Sequence, residues 1–220
     1  MTPPAHRPLA LLLVAALASP LFAQEYVDDD APNDPGPGDP TISDPLANGT
    51  PEHPFDRLQQ AIAVSPANGE IIIKPGRYTG QGNSDVQLDK SLLIRPERGA
   101  DETIFDMRAA SSFLTIGAGH YTILRGLTIE NGVGFEAGAV LTGPDGETFV
   151  EHCILRRNRA TSNGVAGGAI TAVGSIEIHG CAFLANQTAG GHLARRRHRA
   201  AGAGRIQLRP RDHALDQVAR

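Results

Sequence analysis

From Thr148 to Gly191 the sequence states one pattern twice. The first copy reads Thr148, Val150, Cys153, Leu155 and Asn158; the second reads Ile176, Ile178, Cys181, Phe183 and Asn186, each column repeating after 28 residues. A fainter earlier copy, Thr122, Leu124, Leu127, Ile129 and Asn131, keeps the offsets between its apolar members and slips only at the Asn. Self-similarity at a period of about 20 to 50 residues marks stacked supersecondary units, because no single unit can bury its own apolar face.

The units are made of short strands. Glu70-Ile71-Ile72-Ile73 opens a series of apolar runs, each a few residues long and stopped by Gly, Asn, Asp or Pro, and no helical pattern follows Val64. A sandwich of hairpins would show two-residue turns and no long period. Equivalent apolar residues recurring every 26 to 28 positions instead let each coil lie flat on the last, like on like. That is a parallel β-helix, all-β, with about five coils between Ile71 and Gly191, making a rod on the order of 24 Å long at roughly 4.8 Å per coil. Three structural ladders are expected: Leu127, Cys153 and Cys181; Ile129, Leu155 and Phe183; and Asn131, Asn158 and Asn186. The Asn residues follow strand ends, where Asn tolerates a left-handed backbone and its amide can bond neighbouring backbone or a stacked Asn. Turn chemistry accounts for this column better than sugar binding does.

The flanks read differently. Residues 1–23, with Arg7, the apolar run Leu9 to Ala18 and the breaker Ser19-Pro20, have the layout of a secretory signal peptide cut after Ala23, the run being too short for a membrane span. Residues 24–53 are rich in Asp, Pro and Gly and are expected to form a disordered linker; Asp28 to Asp30 lack calcium-loop spacing. Pro54 to Val64 places Phe55, Leu58 and Ile62 at helical spacing, which predicts a short helix capping the open end of the first coil, so the β-helix domain spans 54–191. Cys153 and Cys181, one coil apart, are expected as two packed thiols, with a disulfide as the alternative.

Gly167-Gly168-Ala169-Ile170 followed by Phe183-Leu184-Ala185-Asn186 resembles the paired GGAI and FxxN motifs of the polymorphic outer membrane protein repeats of bacterial surface proteins. Ile71-Ile72-Ile73-Lys74-Pro75-Gly76-Arg77-Tyr78 is similar to the N-terminal coil of the wider pectate-lyase-like group. Leu155 stands where the motif has Phe before Asn158, and Gly138-Ala139-Val140 is a worn copy of GGAI. The resemblance implies a right-handed parallel β-helix and an exported protein, secreted or at the outer surface, with the periplasm as another destination. It does not select an activity, since that group includes lyases, hydrolases and adhesins.

A β-helix hydrolase needs two carboxyl groups about 5 to 9.5 Å apart, and a lyase needs an acidic calcium cluster beside a base. The outward candidates are Glu151 and Glu177, with His152 and His179 close by; they fall in different columns, and alternation along a half-exposed strand already calls for polar residues there. His152 and His179 lack a third zinc ligand, Asp85, Asp89, Asp101 and Asp106 lack metal spacing, and Trp is absent as a sugar-stacking platform. No catalytic, metal or cofactor residue is therefore assigned. The expected role is a non-catalytic binding or structural module; the alternative is a polysaccharide lyase or glycoside hydrolase. An extracellular polysaccharide or a surface protein is the partner class, rather than nucleic acid.

After Gly190-Gly191 the pattern breaks. Residues 192–220 carry eight basic and two acidic residues, against 11 basic and 22 acidic from Gln24 to Gly191. This tail is read in three ways: a basic arm, an amphipathic cap, or a frameshifted read-through that truncates the array in mid-repeat, the last being preferred because local consistency collapses inside a motif.

Overall fold

The computed structural model describes residues 23–30, 44–162 and 167–189, together with the backbone of Ile206–Leu208. Strands of mostly three to five residues, separated by Gly-, Asn- and Asp-containing corners, wind into a parallel β-solenoid of about four turns with one short helix. Each turn visits three sheets. The first contains Gln24–Val27, Gly69–Ile73, Leu92–Pro96, Tyr121–Arg125, Glu147–Glu151 and Ser175–His179, all parallel. The second contains Gly76–Tyr78, Thr103–Asp106, Thr128–Glu130, Ile154–Arg156 and Ala182–Leu184. The third contains Val86–Leu88, Leu114–Ile116, Val140–Thr142 and Ile170–Ala172. A small ladder of Val133–Gly134, Arg159–Ala160 and Gln187–Thr188 joins the second sheet to the third in the later turns.

Register confirms that like stacks on like. Ile71, Ile94, Leu124, Val150 and Ile178 form one inward column, at successive separations of 23, 30, 26 and 28 residues. Five stacked strands enclose four full turns, and the chain then continues through a partial turn to Thr188, so the expected five coils were one too many. On the second sheet Tyr78, Phe105, Ile129, Leu155 and Phe183 lie in register, and the Tyr78 and Phe105 rings stack at 4.9 Å. Leu127, Cys153 and Cys181 precede these strands in successive turns, where Leu127 and Cys153 are buried and Cys181 is half-buried. Apolar side chains at or near zero exposure fill the coil from end to end. Hydrophobic burial of about 25 cal/mol per Å² is therefore spread evenly along the rod.

The Asn column differs from expectation in an instructive way. Residues 131, 157 and 185 take the left-handed conformation, with φ of 56°, 56° and 55°. Asn158 and Asn186 come one position later and are buried. The Asn158 carboxamide accepts from Gly132 N at 2.8 Å and donates to Ile129 O at 3.0 Å. Asn186 repeats this one turn on, accepting from Asn158 N at 2.9 Å and donating to Leu155 O at 2.9 Å. Asn131 does not belong to this ladder: Gly132 occupies the equivalent place, and the Asn131 amide instead donates to Asp106 at 2.8 Å. The shift arises because the turn between Ile129 and Leu155 is 26 residues long and the next is 28.

The N-terminal end corrects two further expectations. Gln24–Val27 is not linker but an extra strand, pairing with Glu70–Ile73, and Val27 is fully buried. The Asp- and Pro-rich composition around it masks a locally strand-forming Tyr26-Val27, which satisfies the open edge of the Gly69–Ile73 strand. Asp44–His53 is also folded against it: Tyr26 N donates to Gly49 O, and Asp44 pairs with His53 at 2.8 Å. The capping helix spans Leu58–Val64 rather than starting at Pro54, with Leu58, Ala61 and Ile62 facing the core. It starts late because Phe55 is drawn into a bridge with Val27, and the Leu58 amide is capped by Asn83 Oδ1 at 2.8 Å. The signal-peptide reading, the stretch 31–43 and, but for the backbone of Ile206–Leu208, the tail lie outside the described residues. That short segment is a strand, antiparallel to Ser175–His179, where the sequence showed no strand pattern.

Candidate functional site

Alternation along the first sheet puts every second side chain outside, where water favours polar groups. One outward row breaks that rule. Leu93, Ile123 and Phe149 stand in register on three adjacent turns, flanked at the ends of the row by Glu70 and Glu177. Tyr121, 47% exposed, lies diagonally beside Phe149 with ring centroids 5.2 Å apart and planes tilted by 46°. A groove of about 450 Å³, lined by Glu70, Ser91, Leu93, Tyr121 and Ile123, runs along one side of the tyrosine. A second hollow of about 500 Å³, lined by His120, Asp145, Glu147 and Ser175, lies on its other side. Tyr121 is thus the divide of a trough that crosses several turns.

Charged groups rim this apolar centre. Glu70 is tied to Arg95 and to Gln24, and Arg125 pairs with Glu151 at 2.7 Å. His179 Nε2 lies 3.4 Å from Glu177. Of the outward candidates read from sequence, Glu151 is engaged by Arg125, while Glu177 is only 6% exposed, correcting its reading as a solvated residue. It is covered because it sits mid-strand between His179 and the Phe149 row. His152 is not on the strand face: it occupies a left-handed corner with φ of 52°, packed so closely over Gly180 that a Cβ there would lie 2.5 Å from its Nδ1. Glu151 and Glu177 fall in different columns, as their spacing implied.

The second sheet carries a separate cluster that sequence reasoning missed. Asp106 and Glu130 are in register on adjacent turns, and Arg77 Nη1 donates to both at 2.7 Å. Arg156 and Arg157 also converge on Glu130, which is only 2% exposed. Burial works to raise the Glu130 carboxyl, but the arginine hydrogen bonds and charges outweigh it and hold it below its ordinary value. Asp106 is likewise held low, against burial, by bonds from Asn131 and the Arg108 amide and by Arg77. Two carboxyls about one strand spacing apart have the separation a retaining glycosidase uses. Such chemistry requires one of them to hold a proton near neutral pH, and both are instead locked as carboxylates. The signal for this cluster was in the period: Glu130 and Arg156 are 26 residues apart, as are Arg125 and Glu151, so opposite charges stack at the coil spacing.

No protein-family model, curated protein or solved structure matches the chain. Among the described residues, no group of three or more His, Cys, Asp or Glu side chains is arranged to hold a metal ion, and no helix is long and apolar enough to cross a membrane.

Proposed function

We propose that this chain is an exported, non-catalytic β-solenoid module that docks a surface protein on the outer face of its first sheet. The observation that carries the reading is the Leu93, Ile123 and Phe149 row with Tyr121, an apolar and aromatic centre ringed by ion pairs. Protein interfaces have this anatomy, with aromatic and aliphatic side chains at the centre and charges at the rim. Aliphatic Leu93 and Ile123 favour a protein over a sugar chain, whose hydroxyls would be left unpaired against them. The polymorphic outer membrane protein likeness of Gly167–Ile170 and Phe183–Asn186 belongs to the same proposal, as does export with a cut after Ala23, immediately before the first strand.

A photoreactive phenylalanine analogue placed at Ile123, in the full chain made by its native host, tests the docking face. A discrete crosslinked protein species that is absent when the same group is placed at Arg98 is expected; equal labelling, or none, at Ile123 overturns it. Purified protein incubated with polygalacturonate and other acidic polysaccharides, with and without calcium, is expected to yield no new reducing ends or unsaturated products. Turnover there would overturn the non-catalytic assignment. The mature exported chain is expected to begin at Gln24, read by N-terminal sequencing.

A further inference from the structure

We infer that Cys153 and Cys181 form a reactive dithiol that a small-molecule disulfide converts into a staple between the last two turns. The inference is independent of the docking face and rests on four observations. First, the two residues precede strands paired in register, Ile154 with Ala182, and Ala182 N donates to Cys153 O at 2.9 Å. Neighbouring positions on parallel strands stand about 4.8 Å apart, inside the roughly 4.4 to 6.8 Å range between Cα atoms that a disulfide spans. Second, the Cys181 sulfur leans back onto the preceding turn. It accepts from Cys153 N at 3.3 Å and lies 3.3 Å from Val150 O, so it sits against the residue that would become its partner. Third, access is unequal: Cys153 is 1% exposed, whereas Cys181 is half-buried and open to a small reagent. Fourth, both are free thiols, so the bond remains to be made.

The division of labour follows from the surroundings. Hydrogen bonding from the Cys153 thiol, then from the Cys153 amide, holds Cys181 below the ordinary thiol value against the effect of burial. The same thiol–thiol bond, with burial, pushes Cys153 up. Cys181 is therefore the attacking thiolate and Cys153 the resolving thiol. In the first step the Cys181 thiolate displaces one thiolate from the reagent RSSR, giving a mixed disulfide with R and releasing RS⁻. In the second, Cys153 loses its proton, attacks the Cys181 sulfur and expels the second RS⁻. Two protein thiols are oxidised by two electrons, and one RSSR is reduced to two RSH.

The test uses the full-length chain treated with oxidised glutathione under non-denaturing conditions, followed by alkylation in denaturant and intact-mass and peptide analysis. Wild type is expected to lose two hydrogens, to take up no alkyl group, and to yield a linked peptide pair from within one chain. The Cys153→Ser variant is expected to stop at a single glutathione adduct on Cys181. The Cys181→Ser variant is expected to leave Cys153 unmodified at the same exposure, since its thiol is shielded. Oxidised wild type should also melt higher than reduced, because the link constrains the unfolded chain. Two alkylated thiols in treated wild type, a disulfide between two chains, or faster modification of Cys153 than of Cys181 would each overturn the inference. The wild-type mass alone decides it should either variant misfold.

Discussion

Asn158 and Asn186 illustrate how much a single residue holds when its partners are backbone groups of the next turn. Each side chain satisfies one amide and one carbonyl that the corner would otherwise bury unpaired. Truncation leaves those groups without water, at about 1 to 3 kcal/mol for each unmet group. Asn158→Ala is therefore expected to cost about 2 to 4 kcal/mol in urea unfolding, while Asn131→Ala, outside the ladder, costs under about 1.5 kcal/mol. Equal losses would remove the distinction drawn between them. Asp29 behaves in the opposite sense. Its carboxyl is buried against Gly76, one oxygen accepts from Arg77 N at 2.9 Å and the other has no partner. Burial raises it from 3.8 to about 6. A folded-state value above the unfolded one means that the protonated form stabilises the fold fully below about pH 3.8, and that this contribution is lost as pH rises through about 6. Relative to Asp29→Ala, wild type is thus expected to lose about 1 to 3 kcal/mol between pH 4 and pH 7.5. A pH-independent difference between the two proteins would refute the shift.

At the scale of strands and corners, the period in the sequence made the inward columns legible, because Ile71, Ile94, Leu124, Val150 and Ile178 must all be apolar for any coil to close. The outward faces were harder to read. Their side chains obey no single rule, so the Tyr121 and Phe149 pair, diagonal rather than in register, left no periodic trace. The Glu130 cluster did leave one, as opposite charges one coil apart, and a search for complementary rather than identical residues at 26 positions would have found it. The extra strand Gln24–Val27 was hidden because composition averages over a window in which Asp and Pro outnumber Tyr26 and Val27. Corner chemistry gives a check on the fold itself. Ala185 holds φ of 55° without the freedom of glycine, at about 1 to 2 kcal/mol for a non-glycine residue. Ala185→Gly is expected to stabilise the protein by about 0.5 to 1.5 kcal/mol, whereas Gly180→Ala, whose Cβ would meet the His152 ring, should destabilise it. Thermal unfolding of the two variants against wild type checks both signs.

For the molecule as a whole, the controlling problem is what happens at the two ends of a stack whose every turn presents unpaired backbone to the next. At the start, Gln24–Val27, the Asp44–His53 loop and the Leu58–Val64 helix together cover the first turn. At the other end, the backbone of Ile206–Leu208 runs antiparallel along Ser175–His179, so the first sheet is bounded by a strand that is not part of the repeat. An antiparallel strand cannot propagate the parallel stack, and a cap of this kind is what repeat arrays need to remain soluble. This favours the cap among the three readings of the tail, whatever the genetic origin of that segment. A chain ending at Ala189 would present Ser175–His179 as an open edge, and such edges recruit further strands. Sedimentation velocity is expected to show concentration-dependent association of the shortened chain, relieved by restoring residues 190–220. If both chains sediment alike over a range of concentrations, the terminal strand is not what ends the stack.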